Sequence, residues 1–141
     1  MTSTTAPITG TRSRVTLGPV WRTGAVAALA AAVATVVFAL AARAIDVPLR
    51  IEGDEIPALG FAVVTLLWSA VGTVIAAVIA RRAQRPARTF VVTAVALTVV
   101  SFVPVVNADA STATQVTLAL AHVLAAAIVI PALARRLAHQ Q

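Results

Sequence analysis

Four long apolar runs, separated by short polar segments, are the feature that most constrains how this chain folds. They cover residues 23–42, 57–80, 89–106 and 116–134, and none contains Arg, Asp or Glu. A bilayer core about 30 Å thick requires about 20 helical residues, so each run is long enough to cross it. Because lipid offers no partners to unpaired backbone groups, continuous runs of this kind must be helices. The sequence predicts an all-α integral membrane four-helix bundle.

Composition excludes the soluble classes. Hydrophobic residues make up 60% of the 141 residues and charged residues 11%. Soluble domains have about 45–50% apolar and about 25% charged residues, and a chain of this size cannot hide the excess in a core. The sequence contains no Cys, which excludes disulfides and thiol chemistry.

The arginines are distributed unequally between the connections. Positive charge concentrates in cytoplasmic segments of membrane proteins. Nine arginines fall on one side and two on the other: Arg12, Arg14, Arg22, Arg81, Arg82, Arg85, Arg88, Arg135 and Arg136 against Arg43 and Arg50. This asymmetry predicts an up-down-up-down bundle with both termini in the cytoplasm.

The segments outside the apolar runs are predicted as tails. Residues 1–22 are rich in Ser and Thr and are expected to be a mobile cytoplasmic tail, with residues 135–141 as a short second tail around domain 23–134. The first run could also be a signal sequence, but it exceeds the 7–15 residues of a signal core. A retained first helix is therefore the favoured interpretation.

Residues at the ends of the runs predict helix boundaries. Pro57 fits a first helical position. Thr112 and Gln115 have the spacing of a capping box, which predicts a helix start near Ala113. Pro104 and Pro131 each lie near one end of a run and are expected to kink their helices.

His122 is the ionisable side chain that the prediction places inside a span. Such a residue is a candidate functional site by default, and histidine switches its charge near neutral pH. Thr65, Thr98 and Ser101 lie at a similar depth, about 7–12 Å below the outer boundary, counted at 1.5 Å per residue. We expect His122 to meet at least one of these hydroxyls. The favoured interpretation is a structural role, in which a neutral imidazole joins two helices by a hydrogen bond. A functional role is the alternative.

Small residues predict the packing faces. Gly72, Ala76 and Ala80 form a small-xxx-small series, which allows two helices to approach closely. In the first run a similar face combines small residues and one hydroxyl, and the opposite face is expected to contact lipid. The small-residue face consists of Gly24, Ala28, Ala32 and Thr35. The face expected to contact lipid consists of Leu29, Val33, Val36 and Leu40.

No residue constellation indicates catalysis. The sequence has no Walker loop, no dinucleotide fingerprint and no HExxH motif. The acidic segment 51–55 could supply oxygen ligands to a divalent cation, but its spacing fits a solvated loop better. We expect no catalytic, cofactor or metal site. We also expect no nucleic-acid binding, because no basic face carries interleaved aromatic residues.

The last third of the chain carries a resemblance. Ala121-His122, Pro131 and the pair Arg135-Arg136, together with the stretch Ser101-Phe102-Val103-Pro104, resemble a bacterial family of small membrane proteins with four helices. That family is a domain of unknown function. The resemblance implies the four-helix membrane fold, a location in the bacterial inner (cell) membrane and no particular activity.

Three functions are compatible with these observations. The favoured one is a non-enzymatic interaction or accessory subunit, whose partners are the lipid bilayer and either a second copy or another membrane protein. The alternative is a small oligomeric transporter or channel that uses His122 as its proton-sensitive residue. A membrane enzyme or redox carrier is the least favoured, because paired histidines, cysteines and internal acids are missing.

Overall fold

The computed structural model describes residues 17–140, and their architecture is almost entirely helical. Five helices and one two-stranded hairpin follow each other along the chain. They are α1 (Gly18–Ala44), β1 (Arg50–Ile51), β2 (Asp54–Glu55), α2 (Ala58–Arg82), α3 (Pro86–Val100), α4 (Phe102–Asn107) and α5 (Thr112–Ala138).

Four helical segments are long and apolar enough to cross a membrane. They are α1, α2, α5 and the combined segment Pro86–Asn107, which contains α3 and α4. The prediction of an all-α fold with four helices of membrane-spanning length and hydropathy is thereby confirmed. α1 packs against α2 and α5, while α3 packs mainly against α5 and less against α2.

α1 and α5 extend beyond the predicted spans. α1 begins at Gly18, with Pro19 at its start, so residues 18–22 are helical rather than part of a tail. Proline suits this position because the first backbone N–H groups of a helix have no intrahelical partner. The rest of the predicted tail, including Arg12 and Arg14, lies outside the described residues. At the other end of the chain, α5 continues through residues 135–138.

The third span is interrupted. The sequence predicts a kink at Pro104, and the structure ends α3 at Val100 and begins α4 at Phe102, with Ser101 between them. Proline has no N–H to donate to the carbonyl four residues earlier, here that of Val100, so the helix is weakened at this point. α5 continues without interruption through Pro131.

The start of α5 is capped one residue earlier than predicted. Ser111 is the N-cap, and its Oγ accepts a hydrogen bond of 3.2 Å from the backbone N–H of Thr114. Gln115 therefore does not complete a capping box with Thr112. Its amide donates instead to the carbonyl of Ala108 at 3.0 Å, which ties the connection between α4 and α5 to the helix.

The connection between α1 and α2 is ordered by hydrogen bonds. α1 ends in a Schellman-type pattern, in which Val47 N–H donates to Ala42 O and Asp46, at φ 61°, provides the left-handed residue. The hairpin then turns at Glu52 and Gly53, both at positive φ, which is the requirement of a type I′ turn.

Two buried clusters divide the bundle into two ends. The larger cluster joins the beginning of α1, the end of α2, the beginning of α3 and the end of α5 through Val20, Ala80, Phe90 and Leu133. The smaller joins the end of α1, the hairpin connection, the beginning of α2 and the first half of α5 through Ala42, Leu49, Phe61 and Ala121. We call these the arginine end and the hairpin end.

Candidate functional site

The contact between α1 and α2 is built from small residues. Gly24, Ala28, Ala32 and Thr35 are all buried, while Leu29, Val33 and Leu40 on the opposite face of α1 are exposed. Val36, which was predicted to share that exposed face, is half-buried. A Cβ atom placed on Gly24 would lie 2.4 Å from both Oγ1 and Cγ2 of Thr73. The absence of a side chain at Gly24 is therefore what permits the two helices to meet here.

The predicted packing residues of α2 have unequal roles. Ala76 and Ala80 are buried in the arginine-end cluster. Gly72 is half-buried, and a Cβ placed on it would meet nothing within 4 Å. The glycine that the close approach requires is thus Gly24, and its counterpart on α2 is Thr73.

One side-chain hydrogen bond joins α1 to α2. The hydroxyls of Thr35 and Thr65 lie 3.1 Å apart, and Thr35 also donates to the carbonyl of Ala32. Thr35 is 1% exposed, so its hydroxyl must find its partners within the protein. The predicted site residue Thr65 is therefore a partner of α1 and not of His122.

His122 is half-buried on α5 and bonds within its own helix. Its Nδ1 lies 2.7 Å from the carbonyl of Leu118, one turn earlier. A carbonyl can only accept, so this contact places a proton on Nδ1. Within the described part of the chain Nε2 has no protein partner.

Phe102 is the residue of α4 that contacts His122. The two rings meet edge to face, with centroids 6.3 Å apart and planes at 65°. This geometry is the favoured one for aromatic pairs. Phe102 was not among the predicted site residues, although it lies next to the predicted Ser101 in the stretch that carried the family resemblance.

The remaining predicted hydroxyls bond locally. Thr98 Oγ1 donates to Ala94 O at 2.9 Å, and Ser101 Oγ donates to Thr98 O at 2.6 Å. Among residues 17–140, His122 therefore shares no hydrogen bond with Thr65, Thr98 or Ser101. Counting residues along each helix predicts only a depth; it does not fix the direction in which each helix turns its side chains.

An apolar groove lies beside this pair of rings, between the third span and α5. Its volume is about 390 Å³, and Val95, Thr98, Val99 and Phe102 form one wall. Val123, Ala126, Ala127, Ile130 and Pro131 form the other wall. Because the Thr98 hydroxyl is already bonded to its own helix, neither wall presents an unsatisfied side-chain polar group.

Charge is segregated between the two ends. All five acidic residues lie in the connections at the hairpin end: Asp46, Glu52, Asp54, Glu55 and Asp109. The ion pair found among residues 17–140 is also there, between Arg50 and Glu55 at 3.1 Å. The described part of the chain holds no group of three His, Asp or Glu residues that could bind a metal ion.

Comparison with known proteins identifies the family. A model described as a family of unknown function (DUF6069) matches residues 15–139. The chain therefore belongs to this family, and the resemblance to a domain of unknown function is confirmed over nearly its whole length. No curated protein and no solved structure matches the chain.

Proposed function

We propose that this family member is a non-enzymatic, multi-pass protein of the bacterial inner membrane that serves as an interaction or accessory subunit. The observation that carries the proposal is the weak packing of the third span. α3 buries Pro86 and Phe90 and α4 buries Val105, while residues 91–104 between them are all half-buried or exposed. This helix contributes little to its own bundle and leaves an apolar face available to another membrane protein.

The surface offered to that partner is the outward face of the third span, formed by Ala96, Val100 and Val103. These residues follow helical spacing, do not line the groove, and are exposed. Ala96 allows a partner helix to approach, since small residues are enriched at helix contacts in membranes. The side chains of Val100 and Val103 provide a surface against which a partner helix can pack.

Both termini are proposed to lie in the cytoplasm. The support is the arginine asymmetry together with the grouping of the acids at the hairpin end. Because the chain has no native cysteine, single cysteines report sidedness cleanly. We expect Gln84→Cys to be shielded from an impermeant maleimide in intact cells and Asp54→Cys to be labelled; the reverse pattern would contradict this orientation.

The absence of catalysis is likewise a proposal, supported by the interior. At the arginine end the buried cluster is formed largely by alanines and branched aliphatic residues. The hydroxyls of Thr35, Thr73 and Thr98 donate to carbonyls of their own helices. These groups are engaged in stabilising the bundle and are not arranged as a nucleophile and base.

A transporter that uses His122 remains the alternative, and one observation favours it. Nε2 of His122 has no protein partner in the described residues, so it is available to bond with a water molecule. Against this, the neighbouring Phe102 and groove are apolar. A proton path would need further polar groups from a second chain.

Site-specific photocrosslinking tests the accessory role. A photoreactive residue is placed in vivo at Val100 or Val103, and at Leu29 or Val33 of α1 as matched controls with similar exposure, 57–64% in all four cases. We expect a discrete protein adduct from the third span and none from α1. Equal adducts from both helices, or none from either, would contradict an interaction surface at α3 and α4.

Proton flux into proteoliposomes separates the two functions. For an accessory subunit, flux equals that of protein-free liposomes, and His122→Ala leaves it unchanged. The matched variant Thr98→Val controls for the loss of a polar group at similar depth. Flux that depends on pH and disappears with His122→Ala alone would replace the accessory role with transport.

A further inference from the structure

The groove between the third span and α5 ends at two arginines. On α5 the residues Val123, Ala127 and Pro131 line the groove at four-residue intervals, and Arg135 is next in this series. Residues four apart lie on one face of a helix. Arg135 therefore continues the α5 wall of the groove toward the arginine end.

The opposite wall ends in the same way. Phe102, Val99 and Val95 line the groove at spacings of three and four residues. The same spacing continues through Val92 to Arg88, and both of these residues are exposed. Both apolar walls thus continue toward the arginine end, where one reaches Arg88 and the other Arg135.

In the described residues no acidic side chain lies at this end. All five acidic residues are at the hairpin end, so no Asp or Glu carboxylate neutralises Arg88 or Arg135. Neighbouring Arg136 has its Nε buried without a hydrogen-bond partner among residues 17–140. An apolar surface that ends in unneutralised guanidinium groups is complementary to a molecule with an anionic head and an apolar tail.

We propose that this groove is a binding site for one anionic phospholipid, with its phosphate between Arg88 and Arg135 and one acyl chain along Val95, Val99 and Ala127. Guanidinium binds phosphate oxygens through two parallel hydrogen bonds. Basic pockets between transmembrane helices bind lipid head groups in this manner. The acyl chain covers the groove walls that the protein itself leaves uncovered.

Charge complementarity favours a lipid over a second copy of the chain. A second copy inserted in the same direction would bring its own arginine end beside Arg88 and Arg135, and like charges would repel. A copy inserted in the opposite direction would match the charges, but it would violate the positive-inside distribution. A phospholipid supplies the phosphate at the membrane surface and the apolar chain below it.

The inference goes beyond the accessory role and does not depend on which side of the membrane the arginine end faces. It is tested on the full chain by native mass spectrometry from detergent micelles. The micelles contain either phosphatidylglycerol, which is anionic, or phosphatidylcholine with the same acyl chains. We expect the native chain to retain a single phosphatidylglycerol and to prefer it over phosphatidylcholine.

Two kinds of variant separate the head-group and chain contacts. Each arginine near a membrane surface contributes about a fivefold factor to binding of anionic lipid, so the double change Arg88→Gln and Arg135→Gln is expected to weaken retention roughly thirtyfold. The matched double change Arg81→Gln and Arg82→Gln removes equal charge from α2, which does not line the groove, and is expected to leave retention nearly unchanged. Ala127→Trp fills the groove and is expected to abolish retention although all arginines remain.

Three outcomes would overturn the proposal. Equal losses in both double variants would indicate diffuse charge attraction instead of a site. Displacement of the lipid by millimolar inorganic phosphate alone would show that the acyl chain is not bound. A dimer that disappears with Ala127→Trp would identify a second copy as the occupant. Helical circular dichroism of each variant confirms that the bundle is intact.

Discussion

The contact between α1 and α2 and the contact of the third span with the rest of the bundle are built in opposite ways. In the most apolar stretch of α1, 39% of residues are buried, against 11% in the corresponding stretch of Pro86–Asn107. α1 meets α2 through glycine, alanine and threonine, whereas the third span is held at Phe90 near its start and Val105 near its end. In lipid, apolar surface alone does not hold helices together; close approach and matched shapes do.

This comparison predicts that the attachment of the third span depends mainly on one side chain. Phe90 is 1% exposed within the arginine-end cluster. Phe90→Ala leaves a cavity there and is expected to lower the free energy of unfolding by about 3 kcal/mol. Phe102→Ala, which removes a half-buried ring of the same type, is the matched control and is expected to lower the free energy of unfolding by about 1 kcal/mol. Unfolding in mixed micelles measures both. Equal costs would refute the view that the span is anchored at its start.

The second prediction concerns the two helix glycines, which receive the same substitution. Gly24→Ala brings a methyl group against Thr73 and forces α1 and α2 apart. We expect this to lower the free energy of unfolding by about 2 kcal/mol. Gly72→Ala meets open space, so the free energy of unfolding is expected to stay the same or rise slightly. Adding Thr73→Ala to Gly24→Ala should recover part of the loss. If Gly72→Ala were the more damaging change, the proposed contact would be misplaced.

The third prediction has the smallest expected effect and concerns the hydrogen bond between Thr35 and Thr65. Thr35→Val removes the bond between α1 and α2 at Thr65 and is expected to cost about 0.6–1 kcal/mol. Thr98→Val removes a hydroxyl that bonds only to its own helix, so its cost should be near zero. The measurement is again the free energy of unfolding in mixed micelles. A larger loss of stability from Thr98→Val than from Thr35→Val would mean that Thr98 makes polar contacts beyond its hydrogen bond to Ala94.

Sequence patterns predicted the parts of the fold that depend on hydropathy and local chemistry. Charge-free runs of sufficient length located the four spans, and alternation of small and large residues distinguished the buried face of α1 from its exposed face. Pro104 indicated the weak point of the third span, since the missing N–H acts on the same chain within one turn.

Features that depend on which groups meet in space were not predictable in this way. The small face of α1 did not reveal that Thr73 lies opposite Gly24. His122 was predicted to meet Thr65, Thr98 or Ser101, but it bonds to the carbonyl of Leu118 and contacts the ring of Phe102. The hairpin escaped notice because its strands have only two residues each and its turn uses Glu-Gly, not the favoured Asn-Gly or Asp-Gly.

The hydrogen bond of 2.9 Å from Glu52 N–H to Asp109 O has a practical consequence for anyone who labels this protein. It joins the tip of the hairpin to the connection before α5, so an epitope inserted into either one disturbs its neighbour. The connection at Ala83–Arg85 has an exposed glutamine, Gln84. It is therefore the better position for a fluorophore or antibody tag intended to leave the bundle unaltered.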